Sequence, residues 1–475
     1  MGLSAQCHIY AVGTDAFYNE REQLQHKRML KLYKARQDKE LPDWKKKSVN
    51  RVIKKEKERL SGLLDDHLSL HEARELQPSA LNDRNVISLF ESSLTRALNI
   101  KTNELTQDIM IVSVFFFQVF EDLVKYGFVY AGEKYIFLTA SAGQIRQKKA
   151  VFVKESAYKK VQMRLMCGLT LDRINADGGN SVNKYLAYLA LNNSATSVWE
   201  NFDIDRSIVV DDFVTLVEGN VDYIDGVTYE IKREYRGTPI PHMDGAGIML
   251  EDTTRMARLP FIKGAMFRFP FDQFIREKCP NGTIVIKDIY GQEHDILGEN
   301  IKYIFTKSQT KMWKHFKSWD EYKDNFKKYG CEACFCNIEE EYIPNARINY
   351  QMLQTLSDMK DNEIERLIKP TAKEIESIGQ DFQTTMRLLG ATEYNRNPSW
   401  FQEALMIYPE LMIDPYCREI LKSTKKSLVK QAKGGRLRVN GKYLFLSPDL
   451  YAFCEWLFLG IENPKGLLQN GEVYC

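Results

Sequence analysis

YIFLTASAGQIRQKKAVFV (Tyr135–Val153) and PIPHMDGAGIMLEDTTRMARLPFIKGAMFRF (Pro239–Phe269) are runs of β-favouring residues cut by Gly, Pro, Ser and Asp. The same texture recurs in SIVVDDFVTLV, VTYEIKREY, TIVIKDIY and YIFTK, which makes the middle third of the chain a set of short strands with irregular connections, a barrel or a sandwich. Within Pro239–Phe269 the glycines of MDGAG and IKG are spaced for turns. Glycine there permits positive φ or a close approach of the backbone to a phosphate, although a DG or GxG pair taken alone is a common turn.

Working outward, the residues before this stretch favour helices. REQLQHKRMLKLYKARQ (Arg21–Gln37) and KKKSVNRVIKKEKERLSGLL (Lys45–Leu64) space apolar residues by three and four among many charges and predict two long exposed helices. Lys45, Lys46, Lys47, Arg51, Lys54, Lys55, Lys57 and Arg59 could follow a phosphate backbone, and the interspersed glutamates give the plainer alternative of a solvated helix face. A second helical block is expected over Asn85–Tyr126, and a helical insertion over Ser156–Ala195. Beyond Asn345 the pattern is helical again, and after Lys433 the segment GGRLRVNGKYLFLSP predicts a return to strands. The fold class is therefore α+β.

Composition narrows the function classes. The chain has 475 residues with 66 basic and 64 acidic side chains, a net charge of +2, so any binding of nucleic acid must come from local patches. The longest apolar run, IVSVFFF (Ile111–Phe117), is far short of the ~20 residues a spanning helix needs, and no membrane partner is expected. Nine cysteines, mostly scattered singly, predict free thiols. The one dense group, Cys331, Cys334 and Cys336 in CEACFC, has a spacing compatible with zinc but shows no fourth ligand nearby, so buried thiols are the alternative. Asp203 and Asp205 in NFDIDR would share a strand face as metal carboxylates do, against a plainer role closing a strand or pairing with Arg206. Asp244 invites a catalytic reading beside His242, and turn chemistry is the alternative for both.

Four blocks, in order, resemble the RNA-interference-class RNA-dependent RNA polymerases and their phage relatives, the two-barrel RNA polymerases. LTASAGQIR with Ser141, Gln144, Ile145 and Arg146 resembles the family's FLxxSxSQLR turn, and Asp244, Gly245 and Gly247 with Lys263 and Gly264 resemble its SDGxG and KG. YIFTKSQTKMWKHF (Tyr303–Phe316) followed by NARINYQMLQTL (Asn345–Leu356) is similar to the connection from barrel to helix, making Lys307, Lys311, Asn349 and Gln351 candidate cleft residues. Gly466, Leu467, Gly471, Glu472 and Val473 match GxLxxGEV, the opening of a second barrel.

The resemblance implies an architecture: a helical head domain (1–131), a first double-psi β-barrel with helical insertions (132–345), a helical connector (346–433) and the start of a second double-psi barrel (434–475). It implies RNA synthesis from nucleoside triphosphates on an RNA or DNA template, with Lys263, Arg146, Gly245, Gly247, Lys307 and Lys311 contacting nucleotide or template, in the cytoplasm of a bacterium or phage-infected cell. The family's catalytic DxDGD motif, which holds magnesium, does not occur in this sequence. The expectation is a chain inactive alone, with a second chain completing the second barrel as one possibility; the alternative is a non-catalytic nucleic-acid-binding module or one half of a split polymerase.

Overall fold

A computed structural model describes residues 5–38, 41–140, 148–339, 343, 345–395, 398–469 and 471–474. The chain forms two compact units, one built from residues 5–337 and 448–475, the other from residues 338–447.

The first unit opens with seven strands, β1 (Gln6–Gly13), β2 (Arg74–Glu75), β3 (Val86–Phe90), β4 (Leu105–Ser113), β5 (Phe128–Tyr130), β6 (Glu133–Thr139) and β7 (Lys149–Lys154). They form one sheet in the order β2-β5-β6-β7-β4-β1-β3. The two expected helices are present as Glu20–Arg36 and Asp43–Leu68; they bury Met29, Leu60 and Leu64 with Val112, Phe128 and Phe152 of the sheet. The expectation of a helical head is thus corrected: the helices pack on a sheet. The second helical block is likewise mixed, with β3, β4 and the helix Phe117–Tyr126. VISLF and LTQDIMIVS are rich in branched and aromatic residues that suit a pleated surface, and Ile109, Met110 and Val112 are buried. YIFLT and AVFVK also belong to this sheet, as β6 and β7, and not to the barrel expected to begin at 132.

Helices over Glu155–Leu165, Leu171–Ala176 and Val182–Leu189 realise the expected insertion. The strands that follow are β8 (Ser197–Val198), β9 (Ser207–Val210), β10 (Val214–Ile224), β11 (Ile231–Pro241), β12 (Ala246–Met249), β13 (Arg255–Leu259), β14 (Ile262–Arg268), β15 (Val285–Lys287), β16 (Glu293–Asp295), β17 (Tyr303–Thr306) and β18 (Cys334–Ile338). Seven of them make a second sheet, β8-β18-β13-β14-β12-β17-β9; β10 with β11 and β15 with β16 form separate two-stranded ribbons. β9, β12 and β17 are buried at every residue, as strands covered on both faces are. β12 runs parallel to β14 and antiparallel to β17, and β17 runs parallel to β9. The starts of β12 and β14 and the ends of β9 and β17 therefore lie at one end of the sheet.

The second unit is helical, with Tyr350–Gln354, Asp361–Ser377, Phe382–Leu389, Trp400–Ile407 and Pro415–Lys433 around a small core of Met386, Leu389, Ala391, Leu405 and Cys417. The strands expected after Lys433 are replaced by extended chain with one isolated bridge, Arg347 to Arg438. An extended segment needs an edge to pair with, and among the described residues only this short one is met. The apolar stretch YAFCEWLFL (Tyr451–Leu459) lies in the helix Leu450–Leu459 of the first unit. Its Phe453, Cys454 and Phe458 are buried, and Tyr451 meets Phe274 with ring centres 5.1 Å apart. No helix among the described residues is long and apolar enough to cross a membrane.

Candidate functional site

Four loops meet at the end of the second sheet shared by the starts of β12 and β14 and the ends of β9 and β17. Parallel pairing sets Thr306 opposite Val210, so the next residues, Lys307 and Asp211, leave side by side. Lys307 Nζ lies 2.6 Å from the Asp211 carboxylate and 4.9 Å from the centre of the Trp313 ring. Ser308 follows: its amide donates to Asp212 at 3.2 Å, and its hydroxyl accepts from the Gly245 amide at 2.9 Å. The DG turn is thereby tied to the end of β17.

Gln309 fastens the rest and is fully buried. Its Oε1 accepts from the Thr306 amide at 3.0 Å, its Nε2 donates to the Ala265 carbonyl at 3.1 Å, and its carbonyl accepts from the Lys263 amide at 3.2 Å. The glycines make this possible. A Cβ at Gly247 would stand 2.6 Å from both Gln309 Oε1 and the Ile304 carbonyl, and one at Gly264 would stand 2.1 Å from the Gly245 carbonyl. Gly245 itself sits at φ +72°, a conformation glycine adopts without a steric cost.

Lys263 opens β14 with an exposed side chain, and Lys311 anchors by donating its amide to the Phe261 carbonyl at 2.8 Å and its ammonium to the Ser308 carbonyl. Partial burial pushes the Lys311 ammonium below its ordinary range and the Lys263 charge pushes it further, while Asp244 and Asp212 oppose. Among the described residues neither Lys263 nor Lys311 has a carboxylate partner in an ion pair. The site thus presents two ammonium groups outside any ion pair among the described residues, beside a glycine-lined turn, a surface suited to phosphate oxygens.

Of the sequence candidates, Lys263, Gly245, Gly247, Lys307 and Lys311 come together here. Arg146, with Ser141, Gln144 and Ile145, lies outside the described residues. Asn349 and Gln351 belong to the helical unit, where Asn349 caps the helix Tyr350–Gln354. Asp203 and Asp205 do not share a strand face: Asp203 caps a short 3-10 turn and pairs with Arg206 at 3.2 Å, and Asp205 pairs with Lys327 at 2.8 Å. His242 hydrogen-bonds Thr215 at 2.6 Å, a ribbon contact. Asp211, Ser308 and Gln309 were not singled out in the sequence, although the polar SQT between two lysines directly after the buried run YIFT marks the place.

The three cysteines do not gather around a metal. Cys331 Sγ donates to the Arg164 carbonyl at 3.1 Å, while Cys334 lies in β18 beside Glu332 and Arg96. Burial pushes the Cys334 thiol up to about 12, away from the thiolate that zinc takes. Among the described residues no group of three or more His, Cys, Asp or Glu could hold a metal ion, and the eight described cysteines are free.

The chain is 47% identical, over 482 aligned positions, to the DNA-directed RNA polymerase YonO of Bacillus phage SPbeta; the match covers 100% of this chain and 56% of that protein. This chain thus spans about half the length of the curated relative it matches. Residues 76–475 match the family described as RNA dependent RNA polymerase, which includes both β12–β14 and the helical unit. The chain belongs to the RNA dependent RNA polymerase family.

Proposed function

We propose that this chain supplies the phosphate-holding side of a template-directed RNA polymerase that builds RNA from nucleoside triphosphates on an RNA or DNA template in a phage-infected bacterium. In that reaction the 3′ hydroxyl oxygen of the growing RNA bonds to the α-phosphorus and pyrophosphate leaves. The observation that carries the reading is the pair Lys263 and Lys311, two ammonium groups without ion-pair partners among the described residues, beside the Gly245 turn. Lysine suits this task as a mobile point charge that can follow a phosphate as its charge shifts. Lys307 is held in reserve by Asp211 and Trp313. The mixture of parallel and antiparallel neighbours around β12 and β17 supports taking the second sheet as the first double-psi barrel.

Magnesium is the metal such chemistry takes, and the residues present do not fit it. Asp211 is committed to Lys307, Asp212 to the Ser308 amide, and no group of acidic or metal-ligating side chains among the described residues could hold the ion. The reading therefore assigns the metal to carboxylates this sequence does not contain, and the phosphates to its lysines.

The test is equilibrium binding of a fluorescent nucleoside triphosphate to the whole chain. Lys263→Ala is expected to weaken binding at least tenfold and Lys287→Ala, on the separate β15–β16 ribbon, to leave it unchanged. Wild-type affinity in Lys263→Ala would refute the assignment. Nucleotide incorporation by a polypeptide of the length of the phage relative, with the same substitution, then separates a polymerase from a non-catalytic binding module.

A further inference from the structure

The helical unit ends in a long run of almost purely positive charge. Between Arg418 and Lys442 there are nine basic residues and one acidic, Glu419, a net of +8 in a chain whose total is +2. The rest of the sequence therefore carries −6, so this is a local feature and not a reflection of composition.

The helix Pro415–Lys433 sorts these charges by period. Arg418, Lys422, Lys426, Lys430 and Lys433 recur every three or four residues and fall on one exposed face, while Cys417 is buried on the other. Among the described residues only Lys422 has an ion pair in this row, with Glu419 at 3.5 Å, and both side chains are about three-quarters exposed. Solvated helices usually interleave signs along such a face; this one does not. The row from Arg418 to Lys433 is about 22 Å long at ~1.5 Å per residue. A row of that length can follow several consecutive phosphates of one strand.

Beyond the helix the chain enters a hollow of about 540 Å³ whose lining includes Arg347, Arg436, Asn349, Gln351, Tyr350 and Tyr443. Guanidinium, amide and phenol groups together can meet a phosphate, a base edge and a base face. An acidic protein surface would match the row of lysines but would have no use for the hollow's amides and rings.

We infer that this face binds a single strand of nucleic acid, its phosphates along Arg418 to Lys433 and an unpaired base in the hollow at Tyr350. The site lies apart from the lysine pair at β14 in sequence and in unit, and its test reads binding alone. Failure of the polymerase reading and failure of this inference are therefore separate outcomes.

The experiment uses the whole chain and labelled 20-nucleotide single-stranded DNA, single-stranded RNA and duplex DNA, with affinities measured by anisotropy from about 50 to 200 mM salt. Replacing Lys422, Lys426, Lys430 and Lys433 by Gln is expected to weaken single-strand binding at least tenfold and to flatten the slope of log affinity against log salt by about 3. A control with the same loss of charge, Lys101, Lys125, Lys159 and Lys287 to Gln, is expected to retain both. Tyr350→Ala is expected to weaken single-strand binding about tenfold with the slope unchanged, since a stacked base carries no counterion. No binding by the wild type, an unchanged slope in the first variant, an equal loss in the control, wild-type affinity in Tyr350→Ala, or a preference for duplex would each overturn the inference. The replaced lysines are exposed, and an unchanged melting temperature confirms that the variants are folded.

Discussion

Gly264 shows how much one missing methyl group decides. A Cβ there would meet the Gly245 carbonyl at 2.1 Å and Gln309 Nε2 at 2.6 Å, so Gly264→Ala must push apart the β14 strand and the turn it closes. The expected cost is about 1–3 kcal/mol, the usual range for overpacking, read as a lower urea midpoint together with weaker triphosphate binding. Lys311 makes a second prediction. Its folded pKa lies below the ordinary 10.5, for burial first and Lys263 second. Between the folded value and 10.5 the unfolded chain binds more protons, so stability rises with pH across that window and the penalty is fully felt below it. Lys311→Met should therefore be more stable than wild type at neutral pH, by a margin that narrows as pH climbs toward 10.5, and should bind triphosphate several-fold more weakly; urea midpoints at pH 7 and about pH 10 check it. Lys263 and Gly245 were legible in the sequence because a turn signal and a basic residue sit within a recognisable order of blocks. Gln309 was not, because a glutamine is ordinarily a surface residue and only the fold shows three hydrogen bonds converging on it.

At the scale of elements, helices with a charged face and the short strands of the middle third were legible, and the strands β3 and β4 of the first sheet were not. Glu20–Arg36 and Asp43–Leu68 alternate apolar and charged residues at helical period, and they fold as expected. β3 and β4 present apolar residues that fit a buried helix or a strand equally well, and their pairing with β1, far away in sequence, settles the matter. The helix Asp361–Ser377 carries a feature no local pattern could announce: Glu374, buried, receives Arg347, Arg387 at 2.7 Å and Arg438 at 3.1 Å. Burial pushes the Glu374 carboxyl up, but the hydrogen bond from Arg387 and the charges of Arg347 and Arg387 outweigh it and hold it below the ordinary range. A depressed carboxyl pKa contributes stability that is complete above the ordinary 4.5 and is lost as pH falls through the folded value. Glu374→Ala leaves three guanidinium groups repelling one another and should cost about 3 kcal/mol, the lower end for breaking a buried pair, because the arginines keep partial access to water. Glu374→Gln should lose most of that stability at pH 7 and show a shallower acid transition, followed by circular dichroism from pH 7 to about 2.

For the whole molecule, the division into two units sets how it unfolds. Residues 338–447 form a compact unit of their own, interrupting the first unit between residues 337 and 448. Its central cluster holds five buried apolar residues, whereas the cluster between the helices and the first sheet alone holds sixteen. Buried apolar area is the main favourable term in folding, and small bodies bury a smaller share of their surface. The helical unit should therefore open first on heating. Two calorimetric transitions are expected, and the substitutions above assign them. Glu374→Ala should lower the first by roughly 10–20 °C for a unit of this size and leave the second in place. Gly264→Ala should lower the second by a few degrees and leave the first in place, the outcome expected of units that unfold independently. The nucleic-acid face supplies an internal check: a single-stranded oligonucleotide that binds the folded helical unit must raise the first transition by mass action, and raising only the second would move the binding face away from Arg418 to Lys433. A single transition shifted by both substitutions would instead show that the two units unfold as one cooperative body.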